Sequence, residues 1–495
     1  MSDNQIYNVG FRFLEVADNC PEHPAIIAED MTVTYANLAA SVRAFAVKLR
    51  ENGVGRNSIV VLETTDMLAS LGIFLATAVL GGRFAIASTS LSRAGIFEAT
   101  HLVATREAKI AERAQATIVD SSWSPRYVLA EGLSCDLDEF EGYEDKSDAF
   151  FITSTSGTTG APKFLALSYE QVCRRVHAAR ADYEPFKTVA APLFNCTARP
   201  FLSRALSILL TPCTLIDSNK PSFWLENGVN LVNGSPEQVK DSLSGKKLKQ
   251  KIATLHIGGG KIEAEVIAEL LESFDQVIDV YGASETNRSF MNINRLNEDG
   301  IVTTQGKSLD SQVQVIADDG RECDIDEPGT VRVRNDYLAD GYLNNPHAQA
   351  KAFRDGWFYP GDRARWEANG NLRIEGRVDD VINMGGTKID AARIEIMLRM
   401  APDVVDAVCF KNPKGDVRTE LLAFVVVEPL AQIDICVENA RLLCLRNLPT
   451  IFVPRHVFPI NEIPRDSEGK PDRAACAALI LKRSAANGVD QPGTP

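Results

Sequence analysis

The chain has 495 residues, of which 45% are hydrophobic, and a formal net charge of −14 at pH 7. This length is enough for a large core divided between two or three structural units. The acidic balance disfavours nucleic acid or anionic lipid as the main partner. Ten cysteines are scattered without a C-x-x-C pair, and the six histidines lie far apart. This pattern predicts a reduced intracellular protein, and it contains no sequence signal for a protein metal site.

The N-terminal segment MSDNQIYNVGFRFLEVADNC carries acidic residues and no continuous apolar run, which argues against a signal peptide. The most apolar stretch, Met67–Gly81, is bounded by Asp66 and Arg83. It is shorter than the about 20 apolar residues that a bilayer span needs, so it predicts a buried helix. We expect a cytoplasmic protein without a membrane span, present as a monomer or a homodimer.

Apolar runs and helical patterns alternate in the N-terminal part. The predicted elements are a strand at Ser58–Leu62, a helix at Met67–Gly81, strands at Ala149–Ile152 and Ile252–Ile257, a glycine turn at Gly258–Gly260, a helix at Glu263–Phe274 and a strand at Val277–Tyr281. This order is typical of parallel α/β architecture, in which ligands bind at the carboxyl ends of the strands.

The pattern changes after about residue 300. Short antiparallel strands joined by D-D-G, P-G and N-G turns are predicted at Val313–Ile316, Gly329–Val333 and Asn371–Ile374. A small α+β unit follows Arg377, with helices at Ala391–Met400 and Ala440–Asn447 and strands at Val404–Phe410 and Leu421–Val427.

The segment TSTSGTTGAPK, Thr153–Lys163, combines glycines, hydroxyl side chains and one lysine. Glycines expose backbone N–H groups, hydroxyls donate hydrogen bonds and lysine neutralises charge, so the segment is suited to hold phosphates. It is not a Walker A loop, because Pro162 and Phe164 stand where that pattern needs a glycine and a hydroxyl residue. Taken alone, it could also be a surface turn.

Five motifs in order remove most of this ambiguity. The loop resembles the T-S-G-T-T-G-x-P-K signature of the adenylate-forming superfamily, which includes acyl- and aryl-CoA synthetases, peptide-synthetase adenylation domains and luciferases. The further matches, which extend the resemblance over nearly the whole chain, are YGASE at Tyr281–Glu285, YPGDRARW at Tyr359–Trp366, GRVDDVINMGGTKIDAARIE at Gly376–Glu395 and IPRDSEGKPDR at Ile463–Arg473.

The resemblance implies an α/β fold with a large N-terminal domain of layered α/β sheets plus a small β-barrel-like part, residues 1–378. A small mobile α+β domain, residues 379–495, would follow it. It also implies ATP-dependent activation of a carboxylic acid to an acyl-adenylate with release of pyrophosphate. Transfer to the thiol of coenzyme A would follow, which makes the chain an AMP-forming acid–thiol ligase of the acyl- or aryl-CoA synthetase type.

The resemblance assigns the nucleotide site residue by residue. Glu285 would bind Mg²⁺, and Asp362 and Arg377 would contact the ribose. Lys163 and the loop residues would hold the β- and γ-phosphates, whereas the glycine turn and Tyr281 would line the adenine slot. The full set is Thr155, Ser156, Gly157, Thr158, Thr159, Gly160, Lys163, Gly258, Gly259, Gly260, Tyr281, Ser284, Glu285, Asp362 and Arg377.

Two further roles belong to the predicted C-terminal domain. Lys470 would enter the site and contact the acyl carboxylate and the α-phosphate region, although a lysine in a polar loop is by default a solvated surface charge. Asp379 would be the hinge about which the domain rotates between the two half-reactions. The chemistry would thus proceed by domain alternation.

The segment APLFNCTARP, Ala191–Pro200, resembles the acid-binding segment of the family. It contains no aspartate to pair with an α-ammonium group, which argues against an amino-acid substrate. Asn195 could bind a ring hydroxyl of an aryl acid or could be a structural amide, and Arg199 could face an acidic substrate tail or a core carboxylate. The predicted pocket comprises Phe194, Asn195, Asn233, His256 and Gly282.

Three interpretations stay open at this point. The leading one is an acid–CoA ligase that uses ATP, Mg²⁺ and coenzyme A. The second is a stand-alone adenylation enzyme that loads the phosphopantetheine arm of a carrier protein. The third is a non-catalytic homologue that binds a nucleotide, which the joint presence of Lys163, Glu285, Asp362, Asp379 and Lys470 disfavours.

Overall fold

A computed structural model describes most of the chain. It covers residues 6–86, 99–105, 116–119, 140, 142–155, 163–258, 262, 264–377, 381–384, 387–413, 420–429, 431–448, 450–465 and 471–486.

Helices and strands alternate along the described chain. The helices are α1 (Val9–Asn19), α2 (Tyr35–Glu51), α3 (Met67–Val79), α4 (Tyr169–Ala179), α5 (Arg199–Leu209), α6 (Pro221–Glu226), α7 (Pro236–Leu243), α8 (Ala264–Leu270), α9 (Pro346–Ala352), α10 (Ala391–Arg399), α11 (Ile433–Asn447) and α12 (Arg473–Ala486). The strands are β1 (Pro24–Ala28), β2 (Thr32–Thr34), β3 (Ile59–Glu63), β4 (Arg83–Ile86), β5 (His101–Thr105), β6 (Ala116–Val119), β7 (Ala149–Thr155), β8 (Lys163–Ser168), β9 (Val189–Pro192), β10 (Thr214–Asp217), β11 (Leu231–Gly234), β12 (Ile252–Ile257), β13 (Phe274–Ala283), β14 (Asn287–Leu296), β15 (Val302–Ser308), β16 (Gln312–Ile316), β17 (Gly329–Arg334), β18 (Phe353–Arg354), β19 (Trp357–Phe358), β20 (Asp362–Trp366), β21 (Leu372–Arg377), β22 (Val381–Met384), β23 (Thr387–Asp390), β24 (Val404–Lys411), β25 (Leu421–Val427) and β26 (His456–Pro459).

The first large sheet has the strand order β15-β14-β13-β12-β11-β9-β10-β1-β2. Its strands from β13 to β1 run parallel, whereas β2, β14 and β15 are antiparallel. One face packs its apolar side chains in a core with Trp224, Val239 and Leu270. Because side chains alternate along a strand, residues such as His256 point to the other face.

The second sheet has the order β6-β5-β3-β4-β7-β8, parallel except for the β7–β8 pair. Helix α3 begins at Asp66, whose carboxylate accepts a hydrogen bond from the N–H of Ala69 at 2.8 Å. Its residues are buried along its whole length, with Phe74 packed edge-on against Phe84 and Phe150. This apolar helix is therefore a core helix. None of the helices in the described part is both long and apolar enough to cross a bilayer.

Smaller sheets follow. Strands β16 to β21 form an antiparallel sheet around Val315, Val331 and Leu372. Strands β24, β25 and β26 form a separate sheet, which packs with α10, α11 and α12 around two apolar clusters. The predicted fold class, with layered α/β sheets, a small antiparallel part and a C-terminal α+β unit, is confirmed. The boundary at residue 378 and the mobility of the C-terminal domain stay predictions.

The predicted helices and strands were found, with shifted ends, whereas Gly259 and Gly260 of the predicted glycine turn lie outside the described residues. The helix predicted to reach Phe274 ends at Leu270, because Phe274 is fully buried as the first residue of β13. Helix α11 begins at Ile433, earlier than the predicted start at Ala440. The sequence did not indicate its first turns, because Ile433 and Ile435 are exposed there and do not continue the buried apolar face. The hairpin formed by β13 and β14 was not predicted.

Candidate active site

The turn between β13 and β14 carries Glu285. The paired residues Ala283 and Asn287 close this hairpin, and the register shifts by one residue beside Gly282. A Cβ atom at Gly282 would lie 2.0 Å from the carbonyl oxygen of Asn287, so only glycine permits this close approach. The hairpin places Glu285 at the carboxyl end of a sheet strand with only 5% of its surface exposed.

Arg175, a buried residue of α4, holds this turn in place. Its guanidinium donates hydrogen bonds to the carbonyl oxygens of Ser284 at 2.8 Å, Glu285 at 2.6 Å and Tyr337 at 2.9 Å. Burial, together with the smaller effect of the Arg199 charge, lowers the pKa of Arg175 to about 9. The hydrogen bonds go to backbone atoms, which leaves the Glu285 carboxylate available for another group.

Tyr342 joins Glu285 to the end of the predicted phosphate loop. Its hydroxyl donates a 2.6 Å hydrogen bond to Oε1 of Glu285, and the Nζ atom of Lys163 lies 5.2 Å from its ring centroid. Tyr342 also pairs with Leu165 of β8 through an isolated bridge. Tyr342 therefore contacts both charged groups, Lys163 through its ring and Glu285 through its hydroxyl. Sequence reasoning missed Tyr342 because it lies in an irregular segment that carries no motif.

A second polar group surrounds Asp362, the first residue of β20. Its Oδ2 accepts a 2.7 Å hydrogen bond from the hydroxyl of Tyr281, and its Oδ1 forms a 3.2 Å ion pair with Arg377. Arg377 also donates to the carbonyl oxygen of Pro360 at 2.9 Å. Burial and the adjacent Asp362 raise the pKa of Tyr281, so its hydroxyl stays a donor. Each carboxylate oxygen keeps a further lone pair, so the group can still accept hydrogen bonds from a diol.

A cavity of about 180 Å³ lies beside the Glu285 turn. It is enclosed by α4, α5 and the carboxyl ends of β12 and β13. Gly282 and Asn287, on either side of the turn, both line it. It therefore reaches the segment that positions Glu285.

Two polar residues lie on the sheet face next to this cavity. His256 lines it, and burial lowers the pKa of His256 to about 3, so the ring is neutral at pH 7. Asn233 pairs in register with His256 on the neighbouring parallel strand, so both side chains lie on one face. Asn233 is fully buried, and its amide nitrogen and oxygen have no hydrogen-bond partner among the described residues.

The structure brings many of the predicted site residues together. Lys163, Ser284 and Glu285 lie around Tyr342 and Arg175, and Tyr281, Asp362 and Arg377 form one hydrogen-bonded group. Thr155 is the last residue of β7. Phe194, His256, Gly258 and Gly282 line the cavity, with Asn233 on the same sheet face as His256. Outside the described residues lie Ser156, Gly157, Thr158, Thr159, Gly160, Gly259, Gly260, Asp379 and Lys470. The binding roles of all these residues stay predictions.

Asn195 differs from its predicted position. Its exposed side chain accepts hydrogen bonds from the N–H of Thr197 at 3.0 Å and from the Thr197 hydroxyl at 2.9 Å. It lines a second depression with Glu29 and Asp217, which shares Phe194 with the cavity of His256, and Asn195 is not among the residues that line that cavity. Its local role is to close a turn before α5, because a short amide side chain bonds readily to the backbone two residues on.

The donor set around Glu285 fits magnesium. Within the described ranges, no cluster of three or more His, Cys, Asp or Glu side chains could hold a metal by itself. Glu285 is a buried carboxylate whose described hydrogen-bond donor, Tyr342, is neutral. Magnesium is commonly bound by one or two carboxylates together with substrate phosphates, so a single buried carboxylate near Lys163 is a suitable ligand.

Comparison with known proteins agrees with this geometry. The family model of AMP-binding enzymes matches residues 13–343. Surfactin synthase subunit 1 of Bacillus subtilis (strain 168) is 25% identical over 97% of this chain, and the chain spans 14% of that protein's length. The 4-chlorobenzoate–CoA ligase of an Arthrobacter species is 26% identical, over 93% of this chain and 92% of that protein.

A solved structure has the same fold. The o-succinylbenzoate CoA synthetase MenE from Bacillus subtilis, in complex with the acyl-adenylate intermediate OSB-AMP, superimposes with a TM-score of 0.78 at 18% identity. The match covers 98% of this chain and 99% of that chain.

Asp279 lies on β13, two residues before Tyr281, and pairs in register with Ile257 and Asn292. Burial raises the pKa of Asp279 to about 7. An Asp carboxyl group in the unfolded chain has a pKa of about 3.9. The folded protein therefore holds the proton of Asp279 more tightly than the unfolded chain does. The resulting stabilisation is complete at acidic pH and is lost as the pH rises through about 7.

We therefore predict that Asp279→Asn reduces the loss of stability between about pH 4 and pH 7. The measurement is the denaturant midpoint of both proteins across this range. Asp275→Asn, an exposed position on the same strand, is the control and should leave the pH dependence unchanged. Parallel curves for wild type and Asp279→Asn would show that Asp279 does not titrate with a raised pKa.

Proposed function

The chain belongs to the family of AMP-binding, adenylate-forming enzymes, and we propose that it is an acid–CoA ligase. It activates a carboxylic acid with ATP, releases pyrophosphate and transfers the acyl group to the thiol of coenzyme A. The observation that carries this proposal is the juxtaposition of Lys163, Tyr342 and Glu285 beside a cavity.

In the first half-reaction, an oxygen of the acid carboxylate attacks the α-phosphorus of ATP, and the bond to the β-phosphate oxygen breaks. Two anions must approach each other, so cationic groups are required near the phosphates. Lys163 supplies one such charge. A magnesium ion held by Glu285 would neutralise phosphate charge. Tyr342 fixes the orientation of the Glu285 carboxylate, and Arg175 fixes the turn that carries it.

Asp362 and Tyr281 orient the nucleotide. The Arg377 ion pair holds the Asp362 carboxylate, whose free lone pairs accept hydrogen bonds from the ribose hydroxyls.

In the second half-reaction, the thiol sulfur attacks the acyl carbon and AMP leaves. The loading of a carrier protein would use the same chemistry with a tethered thiol, so the choice of acceptor is a matter for experiment.

The proposal is tested by ATP–pyrophosphate exchange with a panel of aryl, dicarboxylic and short aliphatic acids, followed by addition of coenzyme A. We expect acid-dependent exchange and then a CoA thioester in the mass spectrum. Exchange without a thioester would favour loading of a carrier protein. Folded protein that exchanges with no acid would favour a nucleotide-binding regulator and overturn the proposal.

Glu285→Gln should lower the exchange rate by at least about 100-fold, because it removes the negative charge that attracts the metal ion. The glutamine side chain keeps an oxygen that can accept the hydrogen bond from Tyr342. The measurement is the exchange rate over a Mg²⁺ titration. Glu272→Gln is the control, since Glu272 forms only an exposed ion pair with Lys247. A Glu285→Gln enzyme with a normal Mg²⁺ dependence would remove Glu285 from the metal site.

The two half-reactions can be separated by variants of the predicted C-terminal domain. Lys470→Ala should reduce adenylation by at least about 100-fold yet allow thioester formation from a supplied acyl-adenylate, because its charge acts on the phosphate chemistry. Asp379→Pro fixes φ near about −65° and should impair one half-reaction far more than the other, because a hinge must absorb a backbone rotation.

Both half-reactions are measured separately on each variant. Lys482→Ala, on an exposed face of α12, is the control for Lys470→Ala, and Asp379→Ala is the control for the rigid proline. Equal losses in both steps for each variant would contradict domain alternation in this protein.

A further inference from the structure

The cavity beside Glu285 is cationic although the whole protein is acidic. Its lining includes four arginines, Arg175, Arg199, Arg204 and Arg288. Among the described residues, no Asp or Glu lines it. His256 is neutral at pH 7 because burial lowers its pKa to about 3. The positive charge of the lining therefore comes from arginine.

Two of these arginines have clear partners within the protein. Arg175 donates its hydrogen bonds to the backbone carbonyls of the Glu285 turn and of Tyr337. Arg288 forms an ion pair with Asp182 and donates to the carbonyl oxygen of Ala178 at 3.2 Å. These two side chains position the structure around the cavity.

Arg204 on α5 has no such partner. Its described contacts are a 3.1 Å hydrogen bond to the carbonyl oxygen of Pro200, one turn earlier on the helix, and the ring of Phe194, whose centroid lies 4.8 Å away. In the part of the chain that the structure describes, Arg204 forms no ion pair with a carboxylate. Burial lowers the pKa of Arg204 to about 10, which leaves it charged at pH 7.

A half-buried charge without a counter-charge is costly, and proteins normally pair such groups. Phe194 holds the guanidinium by a cation–π contact and leaves its planar edge able to bind an anion. A guanidinium edge matches the two oxygens of a carboxylate through paired hydrogen bonds. The cavity thus contains a binding group for a carboxylate other than the one that reacts at the phosphate.

We propose that the acid activated here is a short dicarboxylic acid whose second carboxylate binds Arg204. The inference rests on the proposed function and specifies its substrate. Arg204 is a specificity-determining residue in this reaction, while the other carboxylate reaches the Glu285 turn through the same cavity. Arg199 is close enough to Arg204 to affect its pKa, so it adds to the positive potential of the lining.

The volume of the cavity limits the length of the acid. At about 180 Å³ it is smaller than the typical range of about 300–1,000 Å³ for ligand pockets. Phe151, Val172, Val176 and Val280 supply apolar wall, and Ser203, Ser207 and Asn287 add neutral polar groups. Such a lining suits a short hydrocarbon or a single ring between two carboxylates.

The test compares each diacid with its own half-amide, which keeps the size and removes only the second charge. The probes are succinate, glutarate and phthalate with their half-amides, assayed by ATP–pyrophosphate exchange. We expect kcat/KM for at least one diacid to exceed that of its half-amide by about 10- to 100-fold, the range for a hydrogen bond to a charged group. Arg204→Gln should remove this preference by raising KM for the diacid, with little change for the half-amide.

The matched controls are Arg204→Lys, which keeps the charge without the planar fork, and Arg174→Gln. Arg174 is an exposed neighbour of Arg175 that pairs with Glu170 outside the cavity. Arg204→Lys should keep part of the preference, and Arg174→Gln should keep all of it. Equal rates for diacids and half-amides would overturn the dicarboxylate proposal while leaving the ligase function intact. A rise in KM for ATP with every acid in Arg204→Gln would also overturn it, because Arg204 would then serve the nucleotide.

If no acid supports exchange in folded protein, the ligase function fails and the specificity is judged by binding alone. The thermal midpoint is then measured with each diacid and half-amide, for wild type and Arg204→Gln. A diacid-specific rise that Arg204→Gln abolishes supports the carboxylate site at Arg204. The absence of such a rise in wild type overturns it.

Discussion

The hydrogen bonds from Arg175 to three backbone carbonyls are the constraint on which the site depends. A buried guanidinium cannot remain without acceptors, and here the acceptors are carbonyl groups of the β13–β14 turn and of Tyr337. Helix α4, the turn and the segment before Tyr342 are therefore held in one arrangement. Because these bonds go to the backbone, Arg175 positions the turn and leaves the Glu285 carboxylate to accept its bond from Tyr342.

The same arrangement joins two sheets that are far apart in sequence. Lys163 begins β8 of the second sheet, whereas Glu285 follows β13 of the first. Tyr342 pairs with Leu165 through its backbone and with Glu285 through its hydroxyl, so it fixes the distance between the two charged groups. Phe164, which stands where the family motif has glycine, is fully buried and its carbonyl accepts a 2.7 Å bond from Leu343. That departure serves packing.

The sequence was most informative where chemistry is concentrated in short motifs. Glu285, Asp362 and Arg377 could be named because glycines and turns surround them in recognisable strings. Tyr342, Arg175 and Arg204 could not, since an arginine on an amphipathic helix looks like an ordinary surface charge until the packing is known. Asn195 was assigned to the pocket by its place beside Phe194, but its side chain closes a turn. Phe194 lines both the cavity and the neighbouring depression, whereas Asn195 lines only the depression.

Two charged groups of the site, Glu285 and Arg204, have opposite signs. Glu285 is 5% exposed and its described hydrogen bond comes from neutral Tyr342, whereas Asp362 is already paired with Arg377. A buried carboxylate that accepts a hydrogen bond from a neutral hydroxyl can still bind a cation, and one already paired with arginine can accept neutral hydroxyl groups, which supports the metal and ribose roles proposed above. Arg204 is the converse case, a half-buried cation that lacks a carboxylate among the described residues. A substrate that supplied both a magnesium-bound phosphate and a free carboxylate would compensate both charges at once. The charges of the site thus support the two kinds of ligand that we propose for it.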